Sequence, residues 1–446
     1  MAHIVNTPCG AVRGVATDVE GIVAYKGIRY ATAERFEYPR EVTSWEGIYD
    51  ATEYGNCAYQ PRSFYDEREM PKKVFYYNEF RKGRDFTYSE DCLFLNIFAP
   101  EGEAKGLPVI VAIHGGGYTG GCGFEKHFDT PVWPKLGAIA VTINYRLGPL
   151  GFAVLPELKE EAGKTGNYAL YDQLTALTWV KRNITAFGGD PENITVMGQS
   201  AGAMSVQHLC LSPLCEGLIA KAVMCSGGGV SSMIEPKAAE ERYPLWGEVM
   251  EKCGAKSLEE FRRIPVEELF RAWQSIKVRS MGRGCEPVID GEIIVGSESK
   301  LFREGRQLKI PYMIGTTSHD IIPPILFSIS RDWAKKQSTP AYLWFFERGL
   351  PGDDKGAWHS SDLWYWFGTL RNGWRPFEDR DRALSDEMAI RLVAFAKNGS
   401  PNAQGLTEWL PGGRCAMSFG DGESRMKNPS MFKLWWTMFT NHAPGE

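Results

Sequence analysis

The pentapeptide GQSAG at residues 198–202 constrains the fold of this chain more than any other stretch. The β-branched, apolar residues 194–197 before it predict a buried strand, and residues 203–209 after it predict a helix. A serine at a sharp turn from strand to helix lies at the end of a sheet, where its hydroxyl can act as a nucleophile. Glycine is needed on both sides of Ser200, because a β-carbon there would collide with neighbouring backbone.

Short strands that alternate with helices extend this pattern along the chain. Continuous apolar runs predict buried strands at residues 93–98, 107–113, 138–145, 221–226, 310–315 and 341–346, and residues 167–184 predict a helix. We therefore expect an α/β fold with a mostly parallel central sheet flanked by helices. Residues 231–300 are predicted to form a helical insertion over one end of the sheet. Because no linker rich in Pro, Gly or Ser interrupts the chain, residues 1–446 are expected to form a single domain.

The candidate base follows from chain order. A serine nucleophile needs a neighbouring base, which an acid must orient, and with this turn the order along the chain is serine, acid, histidine. Of the seven histidines, only His319, His359 and His442 come late enough. His442 lies in a polar tail and His319 directly adjoins the best acid candidate, so His359 is the predicted base.

Two aspartates compete for the role of the acid. Asp320 follows the predicted strand 310–315 and a short turn, which is where such an acid belongs. Asp290 precedes Gly291 in a turn signature, for which a structural role is ordinary. We favour Asp320 and keep Asp290 as the alternative.

A glycine-rich loop supplies candidate donors for a developing oxyanion. HGGG at residues 114–117 directly follows the predicted strand 107–113. Backbone N–H groups of Gly116 and Gly117, together with that of Ala201 at the start of the next helix, are the expected oxyanion hole. A phosphate-binding loop is the alternative, but neither GKS/T nor GxGxxG follows.

Bulk composition argues against several other classes. The net charge is −5 with acidic and basic residues mixed, so nothing resembles a basic surface for nucleic acid or membranes. No apolar run approaches the roughly 18 residues of a membrane span, and the N-terminus shows no signal-peptide pattern. The ten cysteines include no CxxC pair. We therefore expect a cytoplasmic protein with reduced thiols and no metal or organic cofactor.

Two longer motifs resemble a known family. FGGDPENITVMGQSAG at residues 187–202 and EDCLFLNIFAP at residues 90–100 are similar to the two signatures of the type-B carboxylesterases, which include cholinesterases and bacterial para-nitrobenzyl esterases. The resemblance implies an α/β-hydrolase fold, with a triad and an oxyanion hole at the positions Ser200, Asp320, His359, Gly116, Gly117 and Ala201. It also implies that Ser226 lies near the acid and supports it.

The chain departs from the family pattern in three places. The family's usual acid is Glu, whereas the aligned residue here is Asp320. Gln199 replaces the commoner Glu beside the nucleophile, which removes a negative charge and disfavours choline esters. Cys57 and Cys92 occupy positions that resemble the family's first disulfide, but we expect both to be reduced.

Together these features predict a serine carboxylesterase that hydrolyses neutral, apolar or aryl esters of short to medium acyl chains through an acyl-enzyme. Its partner would be a small-molecule ester, and the protein would be a monomer or small homo-oligomer. A thioesterase, lactonase or acyltransferase is an alternative on the same triad. A non-catalytic, cholinesterase-like binding module is the alternative from another class, and the presence of all three triad residues argues against it.

Overall fold

The computed structural model describes residues 3–70, 73–102, 104–231, 235–276 and 284–440. Its main feature is a 13-stranded sheet. In chain order the strands are β1 (His3–Thr7), β2 (Gly10–Ala16), β3 (Ile22–Arg29), β4 (Ile48–Asp50), β5 (Phe94–Pro100), β6 (Leu107–Ile113), β7 (Ile139–Ile143), β8 (Gly189–Gln199), β9 (Lys221–Cys225), β10 (Tyr312–Thr317), β11 (Ala341–Phe346), β12 (Gly412–Phe419) and β13 (Arg425–Lys427).

The centre of this sheet is parallel and its edges are antiparallel. In space the strands follow the order β1-β2-β3-β5-β7-β6-β8-β9-β10-β11-β12-β13, and β4 pairs with β2. Every pairing from β7 to β12 is parallel. The ribbon β1-β2-β3-β5-β7 and the last pair, β12-β13, are antiparallel. The predicted α/β class with a mostly parallel sheet is therefore confirmed.

Helices cover both faces of the sheet. The longer ones are α1 (Pro156–Ala162), α2 (Tyr168–Asn183), α3 (Ala201–Leu211), α4 (Tyr243–Lys252), α5 (Leu258–Arg263), α6 (Val266–Ser275), α7 (Glu298–Arg303), α8 (Pro323–Lys336), α9 (Asp379–Asn398) and α10 (Met431–Thr440). Within the described ranges, no helix has both the length and the apolar character that crossing a bilayer would require.

Shorter elements fill the connections. The short α-helices are Val74–Tyr76, Val132–Lys135, Gly148–Phe152 and Leu363–Trp366, and a π-turn spans Tyr77–Arg81. Single 3₁₀ turns are Pro61–Ser63, Glu67–Glu69, Lys126–Phe128, Ile184–Phe187, Pro213–Cys215, Ala239–Arg242 and Leu370–Asn372. Three two-stranded pairs join Ala31–Thr32 with Arg40–Glu41, Cys57–Ala58 with Tyr88–Ser89, and Lys237–Ala238 with Val288–Ile289.

Alternate side chains of the central strands enter two separate cores. On β6, Val109, Val111 and Ile113 pack on the face that α2 covers, and Ile110 and Ala112 pack on the face that α9 covers. A strand buried on both faces has no polar positions, which is why the sequence shows continuous apolar runs instead of alternation.

The chain between β9 and β10 carries α4, α5, α6 and α7; the first three lie within the predicted helical insertion at residues 231–300, and α7 begins inside it and ends at Arg303. Part of that segment, residues 232–234 and 277–283, lies outside the described residues. The position of the insertion over one end of the sheet and the single-domain organisation of residues 1–446 stay predictions.

A buried ion pair fastens the antiparallel edge to the parallel core. Arg146, just after β7, donates from its side chain and its backbone N–H to Asp172 on α2, at distances of 2.7–3.2 Å. Another guanidinium nitrogen donates to the carbonyl of Glu37 at 2.7 Å. Because Asp172 is fully buried, removal of its charge would leave the guanidinium uncompensated inside the protein.

We therefore expect Asp172→Asn to destabilise the fold by roughly 3–5 kcal/mol. The matched change Glu259→Gln removes a carboxylate from an exposed ion pair with Arg263 and should alter stability by less than about 0.5 kcal/mol. Urea denaturation followed by tryptophan fluorescence measures both variants. Equal urea midpoints for the two variants would contradict the stabilising role of the buried Arg146–Asp172 ion pair.

Candidate active site

Ser200 lies at a strained turn between β8 and α3. Its backbone has φ 56° and ψ −125°, in the left-handed half of φ space that non-glycine residues rarely adopt. The turn is held by a hydrogen bond from the Ser200 N–H to the carbonyl of Cys225 at 2.9 Å. A β-carbon on Gly202 would lie 2.2 Å from the carbonyl oxygen of Ile113. The glycine is therefore required by close packing of α3 against the end of β6.

The strand register brings the other parts of the site to the same sheet edge. In the parallel ladders, Gly198 pairs with Ile113, Gln199 with Cys225, and Cys225 with Gly315. The loops that follow β6, β9 and β10 therefore leave the sheet next to the turn of Ser200. The carboxyl ends of parallel strands commonly form such sites.

The loop at residues 114–117 passes directly against the serine. A β-carbon on Gly115 would lie 3.1 Å from the Ser200 Cβ and 2.6 Å from the Gln199 carbonyl oxygen. In the described part of the chain, the N–H groups of Gly116, Gly117 and Ala201 donate no hydrogen bond. Backbone N–H groups without a partner in loops next to a serine hydroxyl are the kind of donor that can stabilise negative charge on a substrate oxygen.

His114 shapes this loop and does not titrate near neutral pH. Its ring stacks on Tyr145 with centroids 4.3 Å apart, and the Tyr145 hydroxyl donates to the His114 carbonyl at 2.7 Å. Its Nδ1 lies 2.9 Å from the Gly115 carbonyl oxygen. Burial lowers the pKa of His114 to about 4, so the imidazole is neutral and holds the loop without adding charge.

Asp320 accepts hydrogen bonds from every side. Its Oδ2 receives the Thr316 hydroxyl at 2.7 Å and both the N–H and hydroxyl of Thr317 at 3.3 and 3.0 Å. Its Oδ1 receives the Ile321 N–H at 2.9 Å and His359 Nδ1 at 2.5 Å. Burial opposes ionisation, but the charge and hydrogen bond of His359 outweigh it and hold the pKa of Asp320 well below its usual range. The carboxylate is therefore ionised throughout the neutral range.

The histidine loop is fixed beside the acid loop by backbone contacts. The His319 N–H donates to the Ala357 carbonyl at 3.0 Å, and His319 forms an isolated bridge with Trp358. The Trp358 indole is fully buried and packs on Phe75, Tyr76 and Phe80 at centroid distances of 5.0–5.8 Å. Ala357 and Trp358 are the two residues before His359. The contacts that hold them therefore fix the direction in which the His359 side chain leaves the backbone.

The imidazole of His359 is oriented toward the serine turn. Since Nδ1 donates to Asp320, Nε2 of the neutral ring is an acceptor, and the Gln199 amide nitrogen lies 3.1 Å from it. Within the described residues, the Ser200 hydroxyl makes no hydrogen bond to this nitrogen. Burial opposes the charged form, but Asp320 outweighs it, and Asp362 adds to the effect, so the pKa of His359 is raised. The base is therefore stronger than an ordinary histidine.

The competing candidates that the structure describes have other hydrogen-bond partners. Asp290 accepts the backbone N–H groups of Glu292, Ile293 and Ile294, each at 3.0 Å, and so stabilises its own turn, as its Asp-Gly signature indicates. The imidazole Nδ1 of His319 is 2.9 Å from the Ser318 hydroxyl. His442 lies outside the described residues.

Ser226, which the family resemblance places near the acid, follows β9 beside Asp320. Its hydroxyl faces the carboxylate and lowers the pKa of Asp320, although it does not reach hydrogen-bond geometry. Cys57 and Cys92 are both free thiols, and the Cys57 thiol contacts Cys122.

Backbone strain concentrates around this site. Six non-glycine residues in the described chain have positive φ, and four of them, Tyr118, Ser200, Ser226 and Ser360, adjoin the loops just described. Such conformations persist only where surrounding contacts enforce them, and they cluster at functional sites. The positive φ angles therefore support the location of the candidate active site independently of any side-chain chemistry.

The sequence alone did not single out Asp362, which the structure buries close to Asp320 and His359. The spacing of three residues after His359 was the available signal. Five large aromatic residues, Trp246, Phe327, Trp333, Trp358 and Trp364, are fully buried in the cores. Among the described residues, no group of His, Cys, Asp and Glu is arranged to hold a metal ion.

The arrangement combines a serine on a strained turn, a histidine tied to a buried carboxylate, and free backbone donors. Chemically it can activate a hydroxyl for attack on a carbonyl and stabilise the oxyanion that results.

The chain is similar to several known proteins. The chain is 36% identical over 331 residues to the para-nitrobenzyl esterase of Bacillus subtilis (strain 168), an alignment that covers 71% of this chain and 63% of the relative. It is 34% identical over 318 residues to the fumonisin B1 esterase of Sphingopyxis macrogoltabida, covering 70% and 55%. The matches thus span less than two thirds of these relatives' length.

A solved structure of a PNB esterase superposes with a TM-score of 0.81 at 27% identity, covering 98% of this chain and 100% of that one. This similarity confirms the α/β-hydrolase fold. The profile of the carboxylesterase family matches residues 1–337 and 324–421. From its sequence profile, its relatives and its fold, the chain belongs to the carboxylesterase family.

Proposed function

We propose that this protein is a serine carboxylesterase in which Ser200 is the nucleophile, His359 the general base and Asp320 the acid. The observation that carries the proposal is the 2.5 Å contact between His359 Nδ1 and the fully hydrogen-bonded Asp320, which leaves Nε2 free to accept a proton at the serine turn. The similarity to para-nitrobenzyl esterases supports ester hydrolysis as the reaction.

In the first half of the reaction, Ser200 attacks the ester carbonyl as its proton moves to His359 Nε2. For this step the Ser200 hydroxyl must replace the Gln199 amide as the donor to Nε2, an alignment that substrate binding can complete. Asp320 keeps Nδ1 protonated and stabilises the imidazolium that forms. The N–H groups of Gly116, Gly117 and Ala201 stabilise the carbonyl oxygen as it becomes negative.

The imidazolium then protonates the departing alkoxide, which leaves as an alcohol, and an acyl group remains on Ser200. In the second half, water attacks this acyl-enzyme while His359 takes its proton. Collapse of the second tetrahedral intermediate releases the carboxylic acid and returns the proton to Ser200. Each proton lost by Ser200 or by water passes through His359 Nε2 and ends on the alcohol or on Ser200.

The uncharged Gln199 beside the nucleophile favours neutral substrates over cationic ones. We therefore infer that the substrates are neutral esters, and we propose apolar or aryl esters of short to medium acyl chains as their class. We also propose that the protein acts in the cytoplasm, where free thiols such as those of Cys57 and Cys92 stay reduced. A thioester or a lactone could react at the same triad, and the acyl group could pass to an acceptor other than water. The first experiment below compares an ester with a thioester and a lactone.

The central proposal predicts turnover of a chromogenic aryl ester and covalent labelling by an aryl phosphonate. Wild-type protein should hydrolyse para-nitrophenyl butyrate faster than a matched thioester or lactone, and its intact mass should rise by one phosphonyl group. Ser200→Ala should lose kcat by roughly 10⁴-fold or more and take no label. Labelling without turnover of any acyl substrate would favour a binding module, and equal labelling of both proteins would contradict the role of Ser200.

The assignment of the acid is tested by two matched substitutions. Asp320→Asn removes the charge that orients and stabilises the imidazole, so kcat should fall by about 10⁴-fold. Asp290→Asn weakens hydrogen bonds within a turn, so it should lower the thermal midpoint while kcat of the folded protein stays close to wild type. Steady-state kinetics at saturating ester measures both variants, and the opposite ranking would overturn the assignment.

Gln199→Glu should move the pH dependence of the reaction. His359 works as a base only when neutral, so activity is lost as pH falls through its pKa. A carboxylate next to Nε2 would stabilise the imidazolium and raise that pKa, and the acid limb of kcat/KM should shift upward by about one pH unit.

The control for this change is Gln404→Glu, which places the same charge at an exposed position. Its pH profile should match that of the wild type. An unchanged acid limb in Gln199→Glu would show that the 3.1 Å contact with His359 does not persist in the working enzyme.

A further inference from the structure

The helix α10 (Met431–Thr440) is apolar on two faces, and the rest of the described chain covers one of them. Leu434 is buried in the core on the side where α10 packs against α8 (Pro323–Lys336). A second set of apolar residues is spaced i, i+3, i+4 and i+7 and is exposed by 43–77%: Phe432, Trp435, Trp436 and Phe439. This spacing forms a stripe along one side of a helix and is typical of a face that packs against a core. We call these four residues the aromatic stripe.

The area of the aromatic stripe narrows the choice of partner. The rings of Trp435 and Phe439 stack with centroids 6.2 Å apart, so they form a continuous surface. Aromatic side chains have about 150–250 Å² of surface each, so the exposed fractions leave roughly 500 Å² of apolar surface. Exposed apolar patches above about 400 Å² generally mark a binding surface. A stable interface between proteins buries about 800 Å² on each partner, so the stripe is smaller than a stable dimer needs.

Unpaired cations line a cavity beside this helix. The cavity has a volume of about 540 Å³ and lies between α8, β12 (Gly412–Phe419) and Asn428, which is three residues before α10 begins. Arg331, Lys335 and Arg414 contribute to its walls. Among the described residues, the side chains of these three cations have no carboxylate or hydrogen-bond partner, and Arg331 Nε is buried without one. The cavity is therefore suited to bind negatively charged groups.

The charge of α10 itself has the same sign. Lys433 is the only charged residue among the ten of this helix, and it lies about 60° around the helix axis from Trp436, at the border of the aromatic stripe. A second copy of the chain, docked on the same face by two-fold symmetry, would bring like charges together. An anionic bilayer instead offers an apolar interior beneath a negative surface, and tryptophan side chains favour the boundary between the two.

We propose that the aromatic stripe and the adjacent cavity form a docking surface for membranes that contain anionic phospholipids. The aromatic rings enter the boundary between headgroups and acyl chains, and Arg331, Lys335 and Arg414 bind the negative groups of the headgroups. This inference goes beyond the proposed esterase function and does not depend on it. The mixed charges of the sequence argue against a membrane surface, because these cations come from distant segments that the fold brings together.

Flotation of the intact protein with lipid vesicles tests the proposal. The protein should bind vesicles of phosphatidylcholine with about 30% phosphatidylserine roughly tenfold more tightly than vesicles of phosphatidylcholine alone. Added salt should weaken binding to the anionic vesicles, because it screens the cations. Absence of flotation with the anionic vesicles, or equal binding to both kinds, would overturn the proposal.

The double substitution Phe432→Ser with Phe439→Ser removes the two most exposed rings and leaves the packed face of α10 intact. It should weaken binding to the anionic vesicles by about tenfold or more. The matched control, Ile4→Ser with Ile48→Ser, removes two exposed apolar side chains from the opposite edge of the sheet and should bind as the wild type does. Equal binding by the two double variants would overturn the role of the stripe.

The cations are tested in the same way. Lys335→Gln with Arg414→Gln should weaken binding to the anionic vesicles by about tenfold and leave the weaker binding to phosphatidylcholine unchanged. Its control, Lys82→Gln with Lys256→Gln, removes two exposed cations from other segments and reaches the same net charge. An equal loss in both double variants would show that net charge alone attracts the protein, and it would overturn the role of the cavity. Thermal midpoints close to that of the wild type establish that each variant is folded.

Sedimentation equilibrium distinguishes a membrane from a second copy of the chain. The account predicts that the aromatic double variant has the same oligomeric state as the wild type. A wild-type dimer that Phe432→Ser with Phe439→Ser converts to a monomer would assign the stripe to a second copy and overturn the lipid proposal. Flotation involves no ester turnover, so a protein that binds vesicles without hydrolysing any ester would contradict the esterase proposal alone.

Discussion

The left-handed backbone of Ser200 is the constraint on which the rest of the site depends. It persists because glycines allow three close approaches around it: a β-carbon on Gly198, Gly202 or Gly227 would lie 2.2, 2.2 or 2.5 Å from a backbone oxygen. These approaches require β6, β8 and β9 to end in register, and the same register places the loop 114–117 and the acid loop beside the serine. The register of the central strands therefore determines the geometry of the candidate site.

Electrostatic asymmetry is the second feature of the site. Asp320 is ionised because five hydrogen bonds compensate its burial, and the result is a histidine with a raised pKa. Asp362 is also buried, without a hydrogen-bond partner among the described residues, and its burial together with the charge of Asp320 raises the pKa of Asp362 to about 7. Two carboxyl groups near one imidazole can thus differ in ionisation because their hydrogen bonds differ. Gln199, on the opposite side of the imidazole, is neutral, so the charge next to His359 comes from the two aspartates.

The sequence predicted the parts of this architecture that local pattern determines. Continuous apolar runs indicated the parallel strands, and the predicted helix at 167–184 corresponds to α2 (Tyr168–Asn183). The family resemblance and the α/β-hydrolase fold are confirmed by the comparisons, and the roles of Ser200, Asp320 and His359 stay predictions that the geometry supports. Chain order left three candidate histidines, and the local sequence around His319 and His442 then favoured His359.

What the sequence could not provide is the packing between distant segments. The contact of Gln199 with His359 joins residues 160 positions apart, and no local pattern encodes it. The same holds for the tryptophans: a tryptophan suits a pocket or a core equally well, and only the three-dimensional packing shows that Trp358 is enclosed by Phe75, Tyr76 and Phe80. The sequence did not single out Asp362 for a related reason. An isolated aspartate after a histidine is expected to be exposed, and only the structure shows that it is buried.

A crystal structure of the phosphonylated protein tests the central claim most directly. A phosphonyl group on the nucleophile resembles the tetrahedral intermediate and carries an oxygen where the oxyanion develops. The account predicts a covalent bond to Ser200 Oγ, with that oxygen about 2.7–3.1 Å from the N–H groups of Gly116, Gly117 and Ala201. A phosphonyl group on another residue, or an oxygen directed away from these three donors, would contradict it.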